Sequence, residues 1–483
     1  MQMGQDDRDR AADDSGLAKP QTVAQCHEVI DRLSQALAQT QRLVAEQQGQ
    51  IAWLQERVKL DSKTSSKPPS SDGPGSGKRA QRRASGRKRG AQKGHAGSCR
   101  ALLDEAQVDQ IIDCPAPEVC ECGALVAPEG EAVRHQVFDA PVVRARVSEY
   151  RLHRGCCTAC GKPQRGRLPA GVPSGQIGPR ALALVGVLGT RYHLTQGKIR
   201  DLLAETLGVD FSVGAISQAH GKVAQALKTP VREAAATLPN APVVHMDETR
   251  YPREGTSGNW VWTVVQPKLA VFSLMPSRAR YVIHGLIGEE PQGVVVSDRY
   301  AAYAHIPAEQ RQLCWAHLLR DFARIAERQG TPGRIGAKLL GAGRVLFRWR
   351  QADKPAAAFE PVQRRIRRAL EQGAAQTLCR RTAATCEHLL KAWASLWTFL
   401  RRPDVAPTNN DAERALRPVV LKRKISGPTR SRRGDDFIAG GYSVVESCRR
   451  QGRDALDYMH QAVTAWLHQV PAPSLVPSAV PSG

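Results

Sequence analysis

No stretch of eighteen consecutive apolar residues occurs in this 483-residue chain, so nothing in it has the makings of a bilayer-crossing helix. Residues 1–20 (MQMGQDDRDR AADDSGLAKP) also lack the apolar core of a secretory signal, which points to the cytoplasm and away from a membrane. Acidic residues are in short supply: 46 Asp and Glu stand against 69 Lys and Arg, a formal net charge of +23. That deficit calls for a polyanionic partner, and without an anchor nucleic acid fits better than a lipid surface. Cysteine is sparse and scattered except in one window, where six of the twelve fall between Cys114 and Cys160. In a reducing compartment such clustering favours a bound metal over disulfides.

At this length the chain should hold several domains. After a charged, disordered start (1–20), residues 21–60 carry a heptad. Its a positions, Val23, Ile30, Leu37, Val44, Ile51 and Val58, are all apolar, while the d positions Cys26, Leu33, Thr40, Gln47 and Leu54 are weaker. This predicts a coiled coil and at least a dimer. Residues 61–100 form a Ser-, Gly- and Pro-rich linker in which eleven Lys or Arg face only Asp61 and Asp72. It reads as a disordered basic arm that neutralises phosphates without reading sequence.

Residues 101–172 hold Cys114, Cys120 and Cys122, then Cys156, Cys157 and Cys160, joined by the strand-like alternation VRHQVFDAPVVRARVSEYRLHR. Two Cys pairs linked by a short sheet predict a zinc ribbon. Cys120, Cys122, Cys157 and Cys160 would bind one structural Zn²⁺, with Cys114 able to replace either member of the first pair. In residues 173–238, Thr195 caps a helix to Leu207, Gly208 breaks it, and Ser212 caps a second helix to Leu227. That is a helix-turn-helix pattern, which would turn Ser217, Gln218 and Lys222 to the major groove.

From residue 239 the character changes. APVVHMDETR reads as a short apolar strand ending in Asp247, and NWVWTVVQPK and LAVFSLMPS as two more. YVIHGLIGEE is a helix, GVVVSDRYAAY a strand ending in Asp298, and RQLCWAH a strand leading into another helix. This order, over residues 239–324, is that of a ribonuclease-H-like mixed sheet, in which acids ending the first and fourth strands lie side by side. A helical insertion (325–407) follows, then the stretch TNNDAERALRPVVLKRKISG within residues 408–465, and a disordered tail (466–483). Asn409 suits an N-cap, Asp411 and Glu413 suit a first helical turn, and Lys422, Arg423 and Lys424 begin a cationic run.

Clustered carboxylates repel one another without a cation, so such a cluster is expected to bind metal. Two Mg²⁺ (or Mn²⁺) ions held by Asp247, Asp298 and Glu413 suit in-line phosphodiester chemistry, with Asp247 bridging them. Glu248 points to the opposite strand face, and Asp411 is a helix-start charge off the face of Glu413. Cys314 and His317 form a Cys-x-x-His pair with no matching pair nearby, so no second zinc site is expected there, and on its own His317 reads as a satisfied core residue. Trp260, Trp262 and Trp315 either stack on bases or belong to the core.

HMDET, VVSDRYAAY, CWAHLLRDF and NNDAERALRPVVLKRK resemble the four blocks of the transposases of the insertion-sequence-66 family, a DDE class. SSKPPSSDG, GHAG, the Cys region and YSVVESCRRQGRDALDYM extend the likeness over about residues 20–465. The resemblance implies a ribonuclease-H-like core with Asp247, Asp298 and Glu413 as its metal-binding triad, and the Cys314-x-x-His317 motif beside those metals with His317 contacting the scissile phosphate or a bound strand. It also implies a bacterial, nucleoid-associated enzyme that cleaves and joins strands at terminal inverted repeats and target DNA. Small accessory proteins encoded by the same element are implied as partners. A non-catalytic zinc-ribbon regulator and a stand-alone ribonuclease-H-like nuclease are the alternatives.

Overall fold

The computed structural model describes residues 22–59, 100–127, 130–256, 258–375 and 379–477. The predicted disordered start and nearly all of the basic linker lie outside them. The chain divides into two units, Met1–Ala80 and Gln81–Gly483.

The first unit contributes one long helix, α1 (Val23–Lys59). Its described a positions Val23, Ile30, Leu37 and Val44 are all exposed in the single chain.

The second unit begins with extended backbone. Among the described residues there, only β1 (Arg154–Cys156) and β2 (Pro163–Arg165) pair, antiparallel, with an isolated bridge between Val119 and Leu125. The sheet expected between the two Cys groups therefore does not form. Val137, Val142 and Val147 stay exposed because alternation makes a strand only where a neighbour supplies ladder bonds.

Three helices follow: α2 (Pro179–Thr190), α3 (Gln196–Leu207) and α4 (Val213–Ala236). Thr195 and Ser212 cap α3 and α4 as expected, and Gly208 takes the left-handed conformation between them. However, α4 runs nine residues past the predicted end at Leu227, through Pro230, because one of its faces is core.

The sheet comprises β3 (Val243–Arg250), β4 (Trp260–Val265), β5 (Ala270–Met275), β6 (Val294–Ser297) and β7 (Arg311–Leu313), with α5 (Arg280–Ile287) between β5 and β6. Its order is β5–β4–β3–β6–β7; β3, β4 and β5 are antiparallel neighbours, while β6 and β7 run parallel to β3. Apolar residues on both faces explain why β6 reads as a continuous Val run: both faces are covered. Val244, Met246 and Val295 join a core built with α2, α4 and the last helices of the chain. Val243, Val294, Val296 and Leu313 face a second core. That second core is completed by α6 (Trp315–Ala326) and by α7 (Gly330–Gln351), α8 (Glu360–Ala375), α9 (Arg380–Lys391) and α10 (Thr398–Arg401) of the insertion. The insertion is thus the cover of one sheet face.

The chain then forms α11 (Asn410–Ser426), α12 (Arg432–Gln451) and α13 (Ala455–His468). The segment after α13, expected to be disordered from residue 466, is instead anchored. Leu475 is fully buried, and the Tyr458 hydroxyl donates to the Pro473 carbonyl. No described helix is long and apolar enough to cross a membrane.

Candidate active site

Parallel pairing sets the first two acids. Val243 lies opposite Val294, Val244 opposite Val295 and His245 opposite Val296. Carrying that register two residues further sets Asp247 beside Asp298. Strand side chains alternate, so Asp247 shares a face with Val243 and His245, and the same parity puts Asp298 with Val294 and Val296. Asp247 Oδ1 accepts from the Glu248 amide at 3.0 Å, and Asp298 Oδ1 from the Tyr300 amide at 2.9 Å. The Arg311 guanidinium donates to the Asp298 carbonyl at 2.8 Å, fixing the backbone where β6 ends.

Glu413 arrives from a distance of 115 positions past Asp298, and buried contacts determine where it lands. Asn409 occupies the N-cap position of α11, but its side chain does not cap the helix. Its Nδ2 donates instead to the Met246 carbonyl at 2.6 Å, one residue before Asp247. Its amide donates to Cys314 Sγ at 3.1 Å, and the Trp315 amide to the Pro407 carbonyl at 3.0 Å. The start of α11 is so pinned to β3 and to the start of α6. Glu413, one turn on, directs Oε1 to within 3.4 Å of His317 Nδ1 and 3.7 Å of the Arg320 guanidinium. Asp411 turns the other way and takes two hydrogen bonds of 3.1 Å from Arg450.

The electrostatics follow from crowding. Burial pushes the Asp247 carboxyl well above its ordinary range, and the carboxylates of Glu248, Asp298 and Glu413 push it further. Four acids from three chain segments therefore act on one another at this spot. Burial also raises Glu248, as does Asp298, against the pull of Arg278 and Tyr303. Glu248 sits on the opposite face, ion-paired to Arg278 at 2.6 Å and accepting from the Tyr303 hydroxyl at 2.9 Å. His317 is held below its usual range by burial and then by Arg320, with Glu413, Asp298 and Asp321 opposing. Burial lifts the Cys314 thiol to about 11.

This donor set fits a cation. Glu413 Oε1 and His317 Nδ1 are buried without a hydrogen bond. Cys314, His317 and Glu413 also place ligand atoms within 4.8 Å of one another. Arg278, Tyr303 and Arg320 were missed in the sequence. Arg320 had a signal, being one turn beyond His317 on the same helix; Arg278 and Tyr303 had none, since they meet Glu248 only through the fold.

The remaining expected site residues lie elsewhere. Cys120 and Cys122 sit in one tight turn closed by Gly123 (φ 85°), and Cys157 and Cys160 in another closed by Gly161 (φ 68°). Among the described residues, no three of the six clustered cysteine sulfurs lie within 4.8 Å of one another, so the structure does not assemble the expected four-sulfur site. Ser217 is half-buried and accepts from Arg433 of α12 at 3.4 Å, and Lys222 is half-buried; Gln218 alone of the three is exposed.

Lys422 departs from the expected cationic run. It is buried, its Nζ donates to the Leu194 carbonyl at 2.7 Å, and desolvation lowers it to about 8, so it is not offered to an outside phosphate. Arg423 is half-buried and donates to Thr249 Oγ1 at 3.3 Å, while Lys424 is exposed. Trp262 and Trp315 are fully buried core residues; Trp260 lies half-buried beneath the Arg278 guanidinium. A cavity of about 650 Å³ opens on the Asp411 side of α11, lined by Arg191, Arg414, Tyr442 and Arg449 among others, and none of the three acids reaches it.

Comparison with known proteins finds two families. The profile described as "Transposase IS66 family" matches residues 174–436, and a family of unknown function (DUF6444) matches residues 19–101. A relative is the uncharacterized protein y4hP of Sinorhizobium fredii, 25% identical over 390 residues that cover 72% of this chain and 70% of the relative.

Proposed function

Because the chain belongs to the IS66 family of transposases, we propose that it binds the ends of its element and cuts and joins DNA strands at the Asp247–Asp298–Glu413 cluster. The observation that carries this reading is that Asp298 and Glu413 both act on the buried Asp247 carboxyl, where strand register and the Asn409 clamp bring β3, β6 and α11 together. The order β5–β4–β3–β6–β7, with α5 crossing between β5 and β6, supports a ribonuclease-H-like core. Asp247, Asp298 and Glu413 would hold two Mg²⁺ or Mn²⁺ ions. When bound, such ions activate an attacking oxygen and stabilise a leaving one.

The chain's own residues supply the rest. Asp247, unable to share its place with the neighbouring carboxylates as anions, is primed to exchange a proton for a cation. Arg311 and the Tyr300 amide fix Asp298; Asn409 fixes the helix that delivers Glu413. Arg423, bonded to Thr249 on the same β3 face as Asp247, and the exposed Lys424 offer positive charge to phosphate beside the acids. Gln218, exposed near the start of α4, is the residue of the proposed helix-turn-helix best placed to touch a base. α1 would pair two chains, and accessory proteins of the element would join them.

The test is strand transfer on oligonucleotides bearing the flanking element's own ends. Asp247→Asn, Asp298→Asn and Glu413→Gln each keep shape and remove a charge, so each should abolish cleavage and joining. Combining them should cost little more, since residues that act as a unit are not additive. DNA affinity should survive or rise, because carboxylates repel phosphate. Normal strand transfer by Glu413→Gln in Mg²⁺ would remove α11 from the chemistry. Binding with no cleavage by the unaltered protein under any divalent ion would favour the regulator reading.

A further inference from the structure

We propose that Cys314, His317 and Glu413 form a three-ligand site for one zinc-class divalent ion, with a fourth position open to water or a substrate oxygen. The inference goes beyond strand cleavage and concerns ion binding alone, although it shares Glu413 with the acid cluster.

Three observations carry it. The thiol, the imidazole and the carboxylate place ligand atoms within 4.8 Å of one another, the one such group of three among the described residues. His317 Nδ1 and Glu413 Oε1 stand 3.4 Å apart, both buried, and neither makes a hydrogen bond. Leaving two such atoms without a hydrogen bond in the interior is costly, and a cation between them satisfies both. The third observation is rigidity. Cys314 caps α6, and its carbonyl accepts from the amides of His317 and Leu318, so the two residues are fixed one turn apart. The Asn409 amide on Cys314 Sγ then locks the start of α11 to the same point.

The donor set selects the metal. One sulfur, one nitrogen and one oxygen suit Zn²⁺ and its borderline neighbours, whereas Mg²⁺ demands oxygen ligands in an octahedron. On binding, Cys314 loses its proton to solvent and a thiolate–metal bond forms. The thiolate and carboxylate together neutralise the ion's two charges. Three protein ligands leave one tetrahedral position free, the arrangement of a reactive rather than a structural zinc. Arg320, 3.7 Å from Glu413 and a fifth exposed, stands in for part of that charge and can swing to solvent when the ion enters.

Co²⁺ titration of the full reduced chain, stripped of metal by chelator, reads the site directly, because a thiolate on cobalt gives a charge-transfer absorbance. Cys314→Ser, which keeps an acceptor for the Asn409 amide, should lose about one equivalent of tightly held Co²⁺ and the matching share of that absorbance. His317→Gln should weaken the same equivalent by more than the roughly 10–100-fold that loss of an outer-shell partner costs. Asp247→Asn should keep it, and a Cys157→Ser background should leave the Cys314-dependent share unchanged. Circular dichroism checks the fold; if Cys314→Ser unfolds, His317→Gln carries the decision. The proposal is overturned if both variants, or His317→Gln alone in that case, bind as much Co²⁺ as tightly as the unaltered chain. Abolished strand transfer in Asp247→Asn with the cobalt spectrum intact separates this ion from the catalytic cluster. Normal strand transfer in that variant would sink the cleavage reading and leave this one standing.

Discussion

Asp247 sits where four carboxylates crowd, and its raised pKa makes a statement about stability as well as chemistry. An unfolded aspartate titrates near 3.9, so across the window above that value the folded chain holds a proton that the unfolded chain has released. Stability of the metal-free protein therefore falls as pH rises through the window. On the proposed function a divalent ion would take the proton's place, so the rise in Tm produced by Mg²⁺ should be small near about pH 5 and larger near about pH 8. Asp247→Asn should flatten that dependence. Thermal unfolding with and without Mg²⁺ checks it, and an equal effect at both pH values would count against ion binding at Asp247. At this scale the sequence was partly legible. The apolar run up to Ser297 announces Asp298, because a strand's exit is local, whereas β3 does not end at Asp247 as expected but continues to Arg250, held by its pairing with β4. The partners of Asp411 and Lys422 do not, since Arg450 lies 39 positions from one and Leu194 lies 228 from the other. Both residues read as surface charges in a one-dimensional pattern, and tertiary packing took them in.

Among the elements, helices and central strands were readable because their periodicity and caps are written in adjacent residues. Thr195, Gly208 and Ser212 punctuate α3 and α4 where expected. The segment across residues 134–153 was misread for a physical reason: alternation is necessary for a strand, but a ladder needs a neighbour. α1 leaves its apolar seam uncovered in one chain, with Ile30 and Leu37 both more than half exposed. Replacing both with Lys should place charge in the proposed seam and shift the full-length protein toward monomer. Light scattering at micromolar concentration measures this. A monomeric unaltered chain, with or without DNA, would remove the coiled coil from the reading.

The molecule as a whole carries +23 charges. Its two Cys turns are each closed within themselves, and among the described residues no three of their sulfurs lie within 4.8 Å of one another. A structural Zn²⁺ would draw them together, so Cys157→Ser should release about one zinc per chain and lower solubility. Metal analysis of protein purified without chelator tests this, and zinc content unchanged by the substitution would refute it.

The Asn409 clamp also has a consequence in time. The strands bearing Asp247 and Asp298 leave the ribosome 115 positions ahead of Glu413. At about 5–20 residues per second, that is a lag of roughly 6–23 s in which the nascent chain has two acids and no third. Synthesis that stops anywhere in the insertion would yield a product with the α2–α4 helices and the basic arm but without α11. On the proposed function such a fragment would occupy DNA ends and never cut them, so the same clamp that completes the full chain would deny its truncated copies a blade.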